Sequence, residues 1–322
     1  MDKRSSIFVD QLAMEKLVEE KLSKVHHAPE SHLCEKSTPL YGSFPSIPPT
    51  AEWHKKVGTH WQMISPVEYS DENNHLIPIT ISPADIPHSS IILVHGLYED
   101  NREIYQFLIK NLNNLGYTIY QTTLPYHYDR TPPLSSFSGE YFWSANIDRT
   151  KRAFEQAVAE IYQLINDLKS CNNHPVNLLA FSMGGGVTLS LLSLVPNISK
   201  VFLLNSICSL SAVVWDSPLC KTIKNDLLIE GYSLEEIVEA YSSFEPLDLL
   251  KQHSLSDRVA LGYGLYDQIT SVEQYEGLIK KLNLNKTFPY KSGHLNTLRV
   301  PRIARDIHAF FSAQSDSREG NE

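Results

Sequence analysis

From about Trp61 onward the chain alternates short apolar runs with longer stretches in which apolar residues recur every three or four positions. The short runs fit strands and the longer stretches fit amphipathic helices. Two edge-type runs come first, MISPVEYS and LIPITIS. Four more, SSIILVHG, YTIYQTTLP, VNLLAFS and KVFLLNS, read as buried on both faces, and RVALGYGLYD and a short KTFPYKSG complete the set. Continuous apolar runs are what a parallel sheet needs when helices cover both its faces. Helices are expected at REIYQFLIKNLNNLG, closed by Gly116, at IDRTKRAFEQAVAEIYQLINDLKS, at VTLSLLSLV, at SVEQYEGLIKKL and at VPRIARDIHAFF. This order predicts an α/β fold with a doubly wound, mainly parallel sheet over residues 61–322.

Two regions depart from the alternation. Residues 207–257 are more than one crossover helix needs. They hold PLCKTIKNDLL and SLEEIVEAY, the second opening with Ser233 and Glu236 at capping-box spacing. A small helical cap insert over the pocket is expected there. Residues 1–60 read as an N-terminal extension. Phe8, Leu12, Leu17, Val18, Leu22 and Val25 can form one face of a helix docked on the main domain, and Ser31 to Thr50 make an irregular arm rich in Pro, Ser and His. His26, His27 and His32 in this extension have no matching cluster of further ligands, so no metal site and no cofactor are expected.

Composition narrows the function classes. A formal net charge of −9, with no block of Lys and Arg, argues against a nucleic-acid partner. Cys34, Cys171, Cys208 and Cys220 show neither metal-ligand spacing nor a disulfide framework and are expected to be reduced. The first residues are broken by charges every few positions, unlike a signal peptide or a membrane span, so no integral membrane segment and a cytoplasmic location are expected.

Doubly wound sheets place ligand sites at the carboxyl ends of their strands. After VNLLA comes Phe181-Ser182-Met183-Gly184-Gly185-Gly186 and then a helical segment, the strand, sharp turn and helix of a nucleophile elbow. Such a turn needs small residues two before and two after its centre, and Ala180 and Gly184 meet that need, with Ala180 where the usual pattern has Gly. Three glycines opening a helix imply that something approaches the backbone closely. A serine hydroxyl needs a base to take its proton and a carboxylate to orient that base. Asp267 follows RVALGYGLYD at its strand end, and His294 follows the short last run in Ser292-Gly293-His294. The order Ser182, Asp267, His294 is that of the α/β-hydrolase triad. The run before them ends in Asn205-Ser206 and offers no carboxylate. The Met183 amide, next after the nucleophile, is a candidate oxyanion donor.

Through VHGL, AFSMGG, LYDQ and SGHL in order, residues 61–311 resemble the α/β-hydrolase superfamily, and LPYHYDRTPP followed by SGEYFW is similar to a group of bacterial hydrolases of poorly defined function. The resemblance implies a serine hydrolase working through an acyl-enzyme on a small-molecule acyl substrate, an ester or thioester. It also carries the second oxyanion role to the Leu97 amide, with Gly96 permitting the turn and His95 a structural hydrogen-bonder. Tyr98 and, in the loop from Tyr126 to Trp143, Tyr126, His127, Arg130, Tyr141 and Trp143 are candidates to line the pocket. An acyltransferase, or a small-molecule-binding protein without turnover on the same fold, are the alternative readings. A dehalogenase or epoxide hydrolase would carry Asp in place of Ser182.

Overall fold

Along the strand Ser89–Val94, Ile91 and Leu93 pack into one apolar cluster and Ile92 and Val94 into another, and all four are buried. Successive strand residues point to opposite faces, so a strand apolar at every position must be covered on both sides. Each such side chain contributes roughly 1.5–3 kcal/mol by leaving water, which makes these runs the framework of the fold. In this computed structural model, residues 2–23, 53–67, 72–171, 174–195, 198–250 and 255–313 are described.

Among the described residues the strands are β1 (Trp53–Val57), β2 (His60–Ile64), β3 (Leu76–Ser82), β4 (Ser89–Val94), β5 (Tyr117–Thr122), β6 (Val176–Phe181), β7 (Val201–Leu204), β8 (Val259–Gly264) and β9 (Thr287–Tyr290). They form one sheet in the order β1-β2-β3-β5-β4-β6-β7-β8-β9. The pairs from β1 to β5 are antiparallel, and all pairs from β5 to β9 are parallel. The sheet therefore begins at Trp53, inside the stretch expected to be extension. Its first strand, WHKKV, has no apolar alternation to betray it and is specified by pairing with β2. The expected strand MISPVEYS is shifted as well, since β2 ends at Ile64, before Ser65-Pro66.

The helices are α1 (Lys3–Leu17), α2 (Gln106–Asn114), α3 (Ile147–Cys171), α4 (Met183–Leu194), α5 (Leu210–Asp216), α6 (Lys221–Ile229), α7 (Leu234–Ser242), α8 (Pro246–Leu249), α9 (Val272–Leu282) and α10 (Ile303–Ser312). Leu108 and Leu112 of α2 and Ile307 of α10 pack with Ile91 and Leu93, while α3, α4, α9 and the insert pack on the opposite face with Ile92 and Val94. Gly116 closes the turn after α2 at φ 87°. In the insert, α5 was not foreseen, and α7 opens with the expected capping box, Ser233 Oγ accepting the Glu236 N–H and Glu236 accepting the Ser233 N–H.

The N-terminal helix corrects the sequence reading. Phe8 and Leu12 are exposed, and so is Val18 in the π-helical turn Val18–Leu22 that continues α1. The buried positions of α1 are Ser6, Asp10 and Met14, at i, i+4 spacing. Polar Ser6 and Asp10 face the body together with Met14, Leu17 and Leu22, which pack into the core, while the rest of the expected apolar face is turned outward. Val25, the arm from Ser31 to Thr50, His26, His27, His32 and Cys34 lie outside the described residues. Of the other cysteines, Cys208 and Cys220 are buried thiols and Cys171 is exposed.

Candidate active site

Ser182 joins β6 to α4 at φ 53° and ψ −116°, a backbone conformation a non-glycine residue holds only where its surroundings enforce it. Its N–H donates to Leu204 O at 3.0 Å, and its carbonyl accepts from the amides of Gly185 at 3.0 Å and Ile207 at 2.9 Å. The close approach implied by three glycines is present. A Cβ on Gly184 would lie 2.5 Å from Val94 O and 2.6 Å from His95 O, and one on Gly185 would collide with Ser206. The start of α4 is pressed against the ends of β4 and β7, which holds Ser182 Oγ above the sheet edge.

His294, four residues past β9, brings Nε2 to 2.9 Å from Ser182 Oγ and Nδ1 to 2.7 Å from Asp267 Oδ2. The carboxylate accepts from Nδ1–H, so Nε2 is left as the acceptor facing the serine hydroxyl. Asp267, beyond β8, is fixed by four contacts. Oδ1 accepts the N–H groups of Ile269 at 2.8 Å and Thr270 at 3.0 Å, and Oδ2 accepts the Tyr275 hydroxyl at 2.7 Å besides the imidazole. Burial pulls the His294 imidazole down, but the charge and hydrogen bond of Asp267, with Asp10 and Glu99 nearby, outweigh it and hold its pKa above the ordinary histidine value. Ser182, His294 and Asp267 are all buried.

The stretch after β4 folds against the turn that carries Ser182, so that a Cβ on Gly96 would lie 3.3 Å from Ser182 Cβ. His95 fixes this loop, its Nδ1–H donating to Gly96 O at 2.8 Å while Nε2 accepts the Leu124 N–H at 3.0 Å. Burial holds that imidazole well below the usual range, consistent with the neutral tautomer these two bonds require. Leu97, directly after Gly96, and Met183, directly after Ser182, are both buried, and as the first residue of α4, Met183 has no acceptor for its N–H within the helix. Neither amide donates to another protein group among the described residues.

Three neighbours of the site were not singled out in the sequence. Asn205 after β7, at φ 46°, donates from Nδ2 to His294 O at 2.6 Å and accepts the Gly264 N–H at 2.8 Å, tying the histidine loop to β8. Tyr275 braces Asp267 from α9. Glu99 accepts the Gly96 N–H at 2.8 Å and the hydroxyls of Tyr105 at 2.6 Å and Tyr128 at 2.9 Å. Burial pushes the Glu99 carboxyl up to about 7 against the pull of these donors. An acid three residues after Gly96 was the one sequence signal for it.

The candidate pocket residues divide. Arg130 is turned inward, with Nη1 and Nη2 each 2.7 Å from a Glu160 oxygen and further bonds to Thr123 O and Asn74 O. Its guanidinium belongs to that buried network and is nearly inaccessible to solvent. His127 is buried against the rings of His95 and Phe142, with Nδ1 donating to Pro125 O at 2.8 Å, and burial pushes its pKa down to about 3. Tyr98, at φ 60°, sets its ring edge-on to Phe137, and Tyr126, at φ 62°, sits over Tyr141. Trp143 donates from Nε1 to the Tyr241 hydroxyl at 3.2 Å, joining this loop to the insert. A separate groove of about 950 Å³ beside the histidine loop is lined by Val9, Ala13, Leu265, Tyr290, Leu295 and Leu298 among others, and no member of the Ser182–His294–Asp267 trio lines it. Among the described residues no group of three His, Cys, Asp or Glu side chains is placed to hold a metal, and no helix is long and apolar enough to cross a membrane.

Residues 90–227 match a family model described as the alpha/beta hydrolase fold, and with the sheet order above the chain is an α/β-hydrolase-fold protein. It is similar to TT1662 from Thermus thermophilus, at 14% identity and TM-score 0.53 over 77% of this chain and 98% of that one. It is also similar to the acylaminoacyl peptidase of Pyrococcus horikoshii, at 13% identity and TM-score 0.55 over 82% of this chain and 42% of that one. A third similar structure is Est1E from Butyrivibrio proteoclasticus with ferulic acid bound, at 11% identity and TM-score 0.53 over 73% of this chain and 93% of that one. At these identities the likeness is one of fold. No curated protein matches the sequence.

Proposed function

We propose that the protein is a serine hydrolase that cleaves a carboxylic ester or thioester through an acyl-enzyme. The observation that carries the reading is the buried chain of contacts from Ser182 Oγ through His294 to Asp267, at 2.9 and 2.7 Å. Ser182 Oγ attacks the acyl carbon as Nε2 of His294 takes its proton, and the carbonyl oxygen becomes an anion. The amides of Leu97 and Met183 receive that oxygen. Collapse of the adduct returns the His294 proton to the leaving alcohol or thiol and leaves the acyl group on Ser182; water, activated by the same histidine, then releases the acid. Asp267 keeps its charge throughout and holds the tautomer. The insert of residues 207–257, joined to the aromatic loop through Trp143 and Tyr241, serves as the cap.

A fluorophosphonate probe tests the reading, because it reacts with an activated serine whatever the natural acyl group is. The folded protein is expected to be labelled at Ser182, and labelling and p-nitrophenyl ester turnover are expected to vanish in Ser182→Ala. An unlabelled, folded wild-type protein would refute it.

A further inference from the structure

The N-terminal helix reaches both loops of the proposed catalytic machinery through polar groups. Asp10 is fully buried, with Oδ2 accepting the His294 N–H at 2.5 Å and Oδ1 the Leu295 N–H at 3.1 Å. One turn earlier, Ser6 Oγ accepts from Asn296 Nδ2 at 3.4 Å, and Asn296 in turn accepts the Gly293 N–H at 2.6 Å. Gly293 has no room for a side chain, because a Cβ there would run into the Asp10 carboxyl. At the other end of the same helical segment, Lys21 Nζ donates to Tyr98 O at 2.7 Å and pairs with Asp100 at 2.7 Å. Tyr98 directly follows Leu97, the proposed oxyanion donor.

A helix that only needed a place to rest could do so on Met14, Leu17 and Leu22, which pack into the core, yet this one also sets two polar residues, Ser6 and Asp10, against the histidine loop. A carboxylate in a docking face is costly to desolvate unless hydrogen bonds compensate it. An apolar side chain of like volume would hold a helix as well if holding it were the position's sole task. Asp10 instead spends both oxygens on the two amides that set where the His294 ring begins. The chain is folded so that its first residues complete the setting of its catalytic loops.

We propose that the segment Lys3–Leu22 is a clamp on the active site, in which Asp10 is a positioning residue for His294 and Lys21 a positioning residue for the oxyanion loop. The proposal rests on the serine-hydrolase reading above. The charged and titratable groups facing His294 are Asp267 from the loop after β8, Asp10 from α1 and Glu99 from the loop after β4, so removing the Asp10 charge acts on the base directly as well as through the loop.

Asp10→Asn keeps the shape, but its NH2 group meets an amide where a carboxylate oxygen had accepted one. Both kcat/KM for a p-nitrophenyl ester and the rate of fluorophosphonate labelling are expected to fall about tenfold or more, carried by kcat with little change in KM. The midpoint of the acid limb of kcat/KM is expected to move to lower pH, which loss of packing alone would not produce. Lys21→Met is expected to lower kcat as well. Glu15→Ala changes an exposed residue of the same helix, on neither loop, so its rates should match wild type. Amide hydrogen exchange over residues 292–299 should speed up in Asp10→Asn and stay unchanged in Glu15→Ala. Asp10→Asn with wild-type rates, limb and exchange would overturn the clamp, as would Glu15→Ala losing as much activity as Asp10→Asn. If the wild-type protein is not labelled at all, the functional reading falls, and the exchange comparison still decides whether Asp10 holds the loop.

Discussion

Tyr275 and His294 meet at one atom. The tyrosine hydroxyl from α9 and the imidazole Nδ1 each lie 2.7 Å from Asp267 Oδ2, while Oδ1 is taken by two backbone amides. Asp267 therefore has all its hydrogen-bonding directions fixed before any substrate arrives. Removing the Tyr275 hydroxyl leaves the carboxylate with one partner fewer and freer to rotate. A hydrogen bond to a charged group contributes about 1.5–3 kcal/mol, so Tyr275→Phe is expected to lower stability within that range and kcat several-fold. Denaturant unfolding and steady-state kinetics on one preparation check both.

The same carboxylate sets the pH at which His294 can act as a base. Burial opposes the imidazolium, and Asp267, Asp10 and Glu99 together favour it by more, so the folded pKa lies above 6.5. General-base catalysis needs the neutral ring. Activity should therefore decline as pH falls, with the midpoint of the acid limb of kcat/KM above 6.5. A limb centred below that value would mean that burial outweighs the carboxylates.

Two glycines predict opposite outcomes from one substitution. Gly184→Ala would set a methyl group 2.5 Å from Val94 O and 2.6 Å from His95 O, both backbone atoms of the sheet edge. Those atoms cannot move without shifting β4, so a loss above about 3 kcal/mol, or no soluble protein, is expected. Gly277 lies in the exposed face of α9 with nothing within 4 Å of its Cβ position. Gly277→Ala should stabilise by roughly 1 kcal/mol through helix propensity. Thermal melts of the two variants decide it.

These positions also mark what a sequence can reveal. The proposed trio of Ser182, Asp267 and His294 could be picked out because each follows a strand whose apolar run announces it, and Gly184 to Gly186 stand out by their cost in a helix. That the sheet is doubly wound and mainly parallel is legible from the same apolar runs, whereas the order of its strands is not, because periodicity does not say which strand lies beside which. Asp10 is not legible, since its partners lie 284 and 285 positions away and the expected apolar face of its helix, with Phe8 and Leu12, does not include it. Tyr275 and Asn205 are hidden for a similar reason, each an ordinary residue until the fold sets it beside the site. β1 escapes because an edge strand paired on one side needs no apolar alternation. Arg130 misleads in the opposite sense, as a charged residue in an aromatic loop reads as ligand-facing until Glu160 is placed opposite it.

Glu99 yields a stability test with a definite sign. Its carboxyl is pushed up by burial to about 7 in the fold, from an ordinary 4.5. The folded state thus binds the proton more tightly than the unfolded chain does. The stabilisation is fully present below about pH 4.5 and is lost as pH rises through about 7. Glu99→Gln is neutral throughout, so wild type should lose on the order of 2 kcal/mol relative to the variant between pH 5 and 7.5. Urea unfolding at the two pH values measures the difference, and a constant gap would show that Glu99 titrates normally.

Arg130 and Glu160 form an ion pair in which both side chains are nearly inaccessible to solvent. Ser65 and Gln156 also donate to the Glu160 carboxylate, so the network joins the segment after β2, the aromatic loop and α3. Breaking a buried pair from one side strands a charge, and Arg130→Met is expected to cost about 3–5 kcal/mol. Replacing both partners removes the stranded charge as well as the attraction. Arg130→Met combined with Glu160→Met should therefore recover much of that loss, giving a favourable coupling in a double-mutant cycle. If Arg130 instead served substrate binding, the single variant would melt near wild type and lose activity through KM. Thermal unfolding with kinetics on the surviving fold separates the two, and the pairing on Glu160 favours the first outcome.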